Sequence, residues 1–342
     1  MPNELLEGFG KQAAAFAWLV AAVVPVAVIL TIWKRPLLPR WKLATFRDAD
    51  NRGRLIFAFF LAYIVAQSIL MQLLDAGGFF QAIYGSEFPK LNAKENIPDN
   101  PPVRGQLRGM WTGLFFAPLM LIAAIALRTL ELRPSRFLAD IAIGMWAWLP
   151  LTLLTLGIYF LVTLVILAVG LTVDEHPLAK LTPAGDGFGG VIFILSACVA
   201  GPLMEEILFR GLLVSWATGR RYRPWILMGF AVVISFVSMN TAGTELRVLP
   251  TVFICLLGIG YWCITRIAKL YRPRFPGRTV GAIYSSSVLF AAIHSPVWPS
   301  PIPLFFLALG LGWLTARTCS ITAAFVVHGL FNAVATLLLF RG

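Results

Sequence analysis

Residues Ile141–Val169 read IAIGMWAWLPLTLLTLGIYFLVTLVILAV, an unbroken run without Asp, Glu, Lys, Arg or His. A bilayer core about 30 Å thick is crossed by roughly 20 apolar helical residues. Within it every backbone N–H and C=O needs an internal partner, which a helix supplies. The run is therefore a membrane-spanning helix with residues to spare. Working outward, comparable blocks occupy Ala13–Trp33, Leu55–Leu74 and Met110–Leu127 before it. After it come Val191–Trp216, Trp225–Met239, Val248–Ile267, Thr279–His294, Ile302–Thr315 and Ile321–Phe340. The fold class that follows is all-α, a polytopic transmembrane helical bundle of about 8–10 helices. Composition agrees: of 342 residues 58% are apolar and 13% charged, where soluble domains carry about 25% charge. Ordinary glycine and proline contents and only four cysteines exclude collagen-like, disordered and disulfide-scaffold classes.

The net charge of +12 suggests nucleic acid until its placement is read. If the first block enters from outside, the inside connections hold 19 of the 28 basic residues against four acids. That is the positive-inside pattern, and it accounts for the basic balance without any nucleic-acid partner. Both termini then lie outside and the basic loops in the cytoplasm. Glu4 and Glu7 precede the first block and positive charge follows it, so the block reads as a retained anchor, not a cleaved signal peptide. Cys198, Cys255, Cys263 and Cys319 lie in or beside apolar blocks without C-x-x-C spacing, as small core residues do.

No 20–50-residue repeat is evident. The chain divides into an N-terminal transmembrane region, residues 1–185, of about four helices, and a second region, 186–342, where the chemistry concentrates. The first four blocks look like generic spans, with Pro25 and Pro150 as candidate kinks. The connection Asp75–Gly109 opens with Phe79, Phe80 and Tyr84, suited to the headgroup region, and continues as a polar loop. His176, beside Pro177 in an outside loop, reads as solvated.

Charge inside hydrocarbon costs roughly 2.5–3.5 kcal/mol per residue, so an intramembrane ionisable group marks a functional site by default. The fifth block holds three within six residues: Glu205, Glu206 and Arg210. Glu206 and Arg210 stand at i and i+4, acid first, the favoured order for a helical pair. Glu205, about 100° around the helix, does not share that geometry and is left as a partly desolvated carboxylate of the kind a general base needs. The bland alternative is that both glutamates merely neutralise Arg210. Against it stand two further intramembrane groups. His294 ends the eighth block in Phe290-Ala-Ala-Ile-His294, and His328 and Asn332 share one face of the tenth. Those groups satisfy one another best by converging on a watery cavity.

These residues resemble the CPBP family, the CAAX prenyl protease type II and bacteriocin-processing intramembrane glutamic endopeptidases. The family's three motifs, E-E-x-x-x-R, F-x-x-x-H and H-x-x-x-N, occur in order as Glu205-Glu206-x-x-x-Arg210, Phe290-x-x-x-His294 and His328-x-x-x-Asn332. The interval between the first two motifs is long for a compact member. The resemblance implies peptide-bond hydrolysis at or within the membrane. Glu205 would be the general base, His294 would position the water, and His328 with Asn332 would form the oxyanion hole. Glu206, Arg210 and Phe290 would be structural, and no cofactor would be required.

A zinc site is the alternative on the same residues, with Glu205, His294 and His328 as ligands and an open position for water. No H-E-x-x-H pair presets two of them on one helix. Two other readings compete with the protease. A catalytically silent relative would hold a membrane partner, in immunity or as a chaperone. A proton-coupled carrier would carry polar groups along a transmembrane path or an inverted repeat, and neither is seen. The partners implied are the lipid bilayer and a membrane-embedded or lipid-anchored protein or peptide substrate. The default location is a bacterial-type inner membrane. Neither oligomeric state nor prenylation of the substrate is written in the sequence.

Overall fold

The computed structural model describes residues 52–84, 103–126, 136–171, 173, 187–241, 248–271 and 277–341. The first apolar block, the Asp174–Pro177 stretch and residues 85–102 lie outside them. Among the described residues the structure is helical, without strands. Helix α1 (Arg52–Val65) continues through a π-helical stretch, Ala66–Leu70, into Met71–Ala76, and short α2 is Phe79–Tyr84. Then follow α3 (Val103–Ala126) and α4 (Phe137–Ala168). Helix α5 is one rod of five pieces, Gly187–Leu195, Ser196–Ala200, Gly201–Glu205, Glu206–Val214 and Ser215–Gly219, of which the second and fourth are π-helical. The rest are α6 (Arg223–Thr241), α7 (Val248–Tyr271), α8 (Gly277–Ile293), α9 (Pro301–Thr318) and α10 (Thr322–Arg341). Each apolar block from the second to the tenth thus falls on a helix. Four helical stretches, Ala58–Ala76, Phe137–Ala168, Val191–Gly219 and Pro301–Thr318, are long and apolar enough to cross a membrane, and five shorter apolar helices accompany them. Many side chains on the outer surface are large and apolar, among them Leu119, Leu138 and Leu161. This is an integral membrane bundle, with apolar residues facing outward as well as in.

Pro150 lies on an exposed face of α4, and the helix runs through it. A small residue permits a close contact: a Cβ on Gly144 of α4 would meet the Ala323 carbonyl of α10 at 2.8 Å. The starts of α4 and α10 therefore sit side by side at one face of the bundle. The opposite face gathers the end of α6, the start of α7 and the end of α8. There Ser235 is 3.2 Å from Thr251, and Ser295 donates to Ser235 at 3.0 Å. The aromatic opening of the Asp75–Gly109 connection forms α2. Phe80 and Met71 are fully buried, and the Phe79 ring meets Trp111 edge-on at 5.3 Å.

Candidate active site

The site begins with a proline. In the π-helical register of Ser196–Ala200, the Gly201 N–H bonds Ser196 O. The next carbonyl, Ala197, would look five residues on to Pro202, which has no N–H to give. A buried carbonyl left unpaired costs about 1–3 kcal/mol. The gap is filled from α10, where Asn332 Nδ2 donates to Ala197 O at 2.8 Å. One turn earlier Gly329 makes the approach feasible, since a Cβ there would stand 2.7 Å from the Cys198 carbonyl oxygen. Pro202, Gly329 and Asn332 together pin α10 to the irregular part of α5.

Nine and ten residues on from Ser196 along the same rod, the acids diverge. Glu206 is fully buried, and its Oε1 accepts from Arg210 Nη1 at 3.0 Å. The same oxygen lies 2.9 Å from His328 Nδ1. Beside a guanidinium the carboxylate has no proton to give, so Nδ1–H is the donor. Arg210 Nη2 also donates to the Ala308 carbonyl at 3.3 Å, and its guanidinium lies 4.8 Å over the Phe290 ring. Phe290 in turn meets His328 edge-on at 5.8 Å. The i, i+4 pair read from the sequence is present, but it is half of a chain, Arg210–Glu206–His328, running from α5 into α10. Glu205 keeps 28% of its side chain exposed, with Oε2 3.5 Å from His328 Nε2. That distance is long for a hydrogen bond.

His294 stands at the end of α8. Its Nδ1 lies 2.8 Å from the Phe290 carbonyl. A carbonyl only accepts, so the proton is on Nδ1 and Nε2 carries the free lone pair. Glu205, His294, His328 and Asn332 all line one cavity of about 370 Å³, with Phe290 beside them. The four candidate catalytic residues are thus brought to one space, while Glu206 and Arg210 are not among its lining residues. Among the described residues no three of the His, Cys, Asp and Glu side chains are grouped to hold a metal. In the set Glu205, His294 and His328, Nδ1 of His328 is held by Glu206, and its Nε2 lies 3.5 Å from Glu205 Oε2.

Three features escaped the sequence reading. Glu206 has a second partner, because a contact between residues 122 apart leaves no local spacing to find. The Ala197 carbonyl depends on a π turn that α-helical geometry hides. Helix α4 supplies Thr155, Leu156, Tyr159 and Phe160 to the cavity wall, although it resembled a generic span. A signal for it existed: Thr152, Thr155, Tyr159 and Thr163 recur at helical spacing on one side of an otherwise apolar run.

Comparison with known proteins adds one finding. The family described as type II CAAX prenyl endopeptidase, Rce1-like, matches residues 187–268 and 261–334. The two stretches meet within α7, in the long interval between the first and second motifs. No curated protein and no solved structure matches the chain. The matched stretch contains the glutamate pair, both intramembrane histidines and Asn332, and excludes α1–α4. The membrane core formed by residues 187–334 is thus similar to the Rce1-like, type II CAAX prenyl endopeptidase family.

Proposed function

We propose that this chain is an intramembrane endopeptidase that hydrolyses a peptide bond of a membrane-embedded or lipid-anchored protein or peptide. Glu205 takes a proton from the attacking water, assisted by the free Nε2 of His294. The water adds to the scissile carbonyl, and the oxyanion is met by the second N–H of Asn332 and by His328 in its doubly protonated form, Nε2–H donating while Nδ1–H stays on Glu206. The proton held by Glu205 then passes to the leaving amine. The reaction uses no metal, and the protein resides in a bacterial-type inner membrane.

The observation that carries this reading is the shared cavity. A carboxylate, an imidazole whose Nδ1 donates to the Phe290 carbonyl, a second imidazole and an amide line one space inside the bundle. The convergence favours a catalyst over a carrier, because among the described residues Glu205, His294, His328 and Asn332 meet at one chamber.

The test is cleavage of a membrane-protein and peptide library by the purified protein reconstituted in lipid. The wild type should release fragments that Glu205→Ala does not. Equal cleavage by the two would overturn the assignment, and cleavage by neither would favour the silent binding relative.

A further inference from the structure

We infer that the catalytic cavity opens to the extracytoplasmic face of the membrane, so that its substrates are cut from that side. The inference rests on the protease reading for the word substrate, but its geometry stands without it.

Consider first where the lining residues fall along their helices. On α8 and α9 they are the last and first turns, Phe290 and His294, then Pro303 and Leu304, with Val297–Ser300 between them. On α10 they run from His328 to Thr336, away from the end that packs on the start of α4. On α4 they begin at Thr155, past the middle, and on α5 they end at Glu205. Every helix contributes the half nearest the α8–α9 connection.

The other side is closed. Next to Glu205, residues 206–215 of α5 are all buried. Leu307, Leu311 and Leu314 of α9 and Ala323, Ala324 and Val327 of α10 are 0–1% exposed. Arg210 and Glu206 sit inside this packing as part of the plug. A polypeptide reaches Glu205 from the α8–α9 side, not through the plug.

Charge then says which compartment that is. At the plugged face the helix ends carry Arg136, Arg220, Arg221, Arg223, Arg266, Arg278 and Arg317. Three of these lie over tryptophans: Arg223 on Trp216 at 5.1 Å, Arg266 on Trp262 and Arg317 on Trp313, both at 5.4 Å. Tryptophan belts mark the membrane–water boundary, and an excess of Lys and Arg marks its cytoplasmic side. The sequences that join α4 to α5 and α6 to α7 carry Asp174, Glu175, Asp186 and Glu245 against Lys180 and Arg247, and Ser295–Ser300 carries no charge. The plugged face is therefore cytoplasmic and the cavity faces outward. Apart from Glu205 and the two histidines, the lining holds no ionisable side chain other than the Tyr159 phenol, so the site takes uncharged, largely apolar segments such as those where a membrane-anchored polypeptide leaves the bilayer.

The experiment labels single cysteines in intact bacterial cells with a membrane-impermeant maleimide, after replacing Cys198, Cys255, Cys263 and Cys319 by serine. Leu171→Cys, at the exposed end of α4 on the cavity side, should label in intact cells. Arg221→Cys, at the exposed end of α5, should label only after permeabilisation. The reverse pattern, or no difference between the sites, overturns the inference. Should the cysteine-free protein fail to accumulate, fusions after Gly342 give the same reading in the native chain: alkaline phosphatase should be active and green fluorescent protein dark, and the opposite result overturns it. Neither readout needs proteolysis, and Glu205→Ala should behave as wild type in both. A wrong orientation is thereby separated from a wrong activity.

Discussion

Replacing Glu206 by leucine removes the acceptor of both Arg210 Nη1 and His328 Nδ1. Arg210 is left as a buried charge whose remaining polar contact is the Ala308 carbonyl at 3.3 Å. Losing one partner of a buried ion pair costs about 3–5 kcal/mol, whereas replacing both by apolar residues of similar volume is often neutral or stabilising. Glu206→Leu should therefore melt far below wild type, and Glu206→Leu/Arg210→Met should recover all but about 1–3 kcal/mol, the cost of leaving the buried His328 Nδ1–H without its acceptor. Activity should not recover in parallel. In the double variant His328 Nδ1 still lacks its acceptor and the ring is free to turn, and a 1 Å misplacement of a catalytic group costs on the order of 10²-fold. The assay pairs thermal unfolding in detergent with cleavage of a quenched peptide that the wild type hydrolyses. A double variant that is both stable and as fast as wild type would refute the proposed hold of Glu206 on His328. A single variant that melts like wild type would refute the buried pair as a unit.

The contact between α5 and α10 gives further expectations. In Gly329→Ala the new Cβ starts 2.7 Å from the Cys198 carbonyl, so the helices must part by several tenths of an ångström. Stability should fall by about 1–3 kcal/mol, and cleavage should fall at least ten-fold; unchanged rates would mean that the approach is not needed. Asn332→Ala should cost about 1–3 kcal/mol by stranding the Ala197 carbonyl. The same change in a Pro202→Ala background should cost clearly less, because residue 202 then has an N–H to offer; equal costs by denaturant titration would contradict the proline argument. A strong chelator should leave the cleavage rate unchanged, and stoichiometric zinc lost together with activity would replace the glutamate mechanism by a metal one.

The fold was readable because hydrocarbon imposes a length and a composition on every span. The run Ile141–Val169 became α4, Phe137–Ala168, and its eight successors and predecessors within the described residues behaved alike. The candidate residues were readable for the same reason: a carboxylate or imidazole inside such a run is too costly to be incidental. What stayed hidden depends on contacts between distant stretches. The 3.6-residue period assigned Glu206 to Arg210 alone, while packing gave its oxygen to His328 as well. The same period missed the shift in register at Ser196–Ala200, whose consequence, a carbonyl facing Pro202, explains Asn332 better than its spacing from His328 does. The wall supplied by Thr155 and Tyr159 was overlooked because hydroxyls cost little in a span and so draw less notice than charges.

If Glu205 and His294 act on the same water, their effects on rate cannot be independent. Groups that act as a unit lose nearly everything when the first is removed and little more with the second. Cleavage of one peptide by wild type, Glu205→Gln, His294→Asn and the pair, in matched lipid, reads this out. Each single variant should lose at least 10²-fold in kcat/KM, and the pair should be no slower than the worse of the two. A pair whose loss equals the product of the single losses, or a Glu205→Gln protein at the wild-type rate, would show that these side chains share a cavity without sharing a reaction.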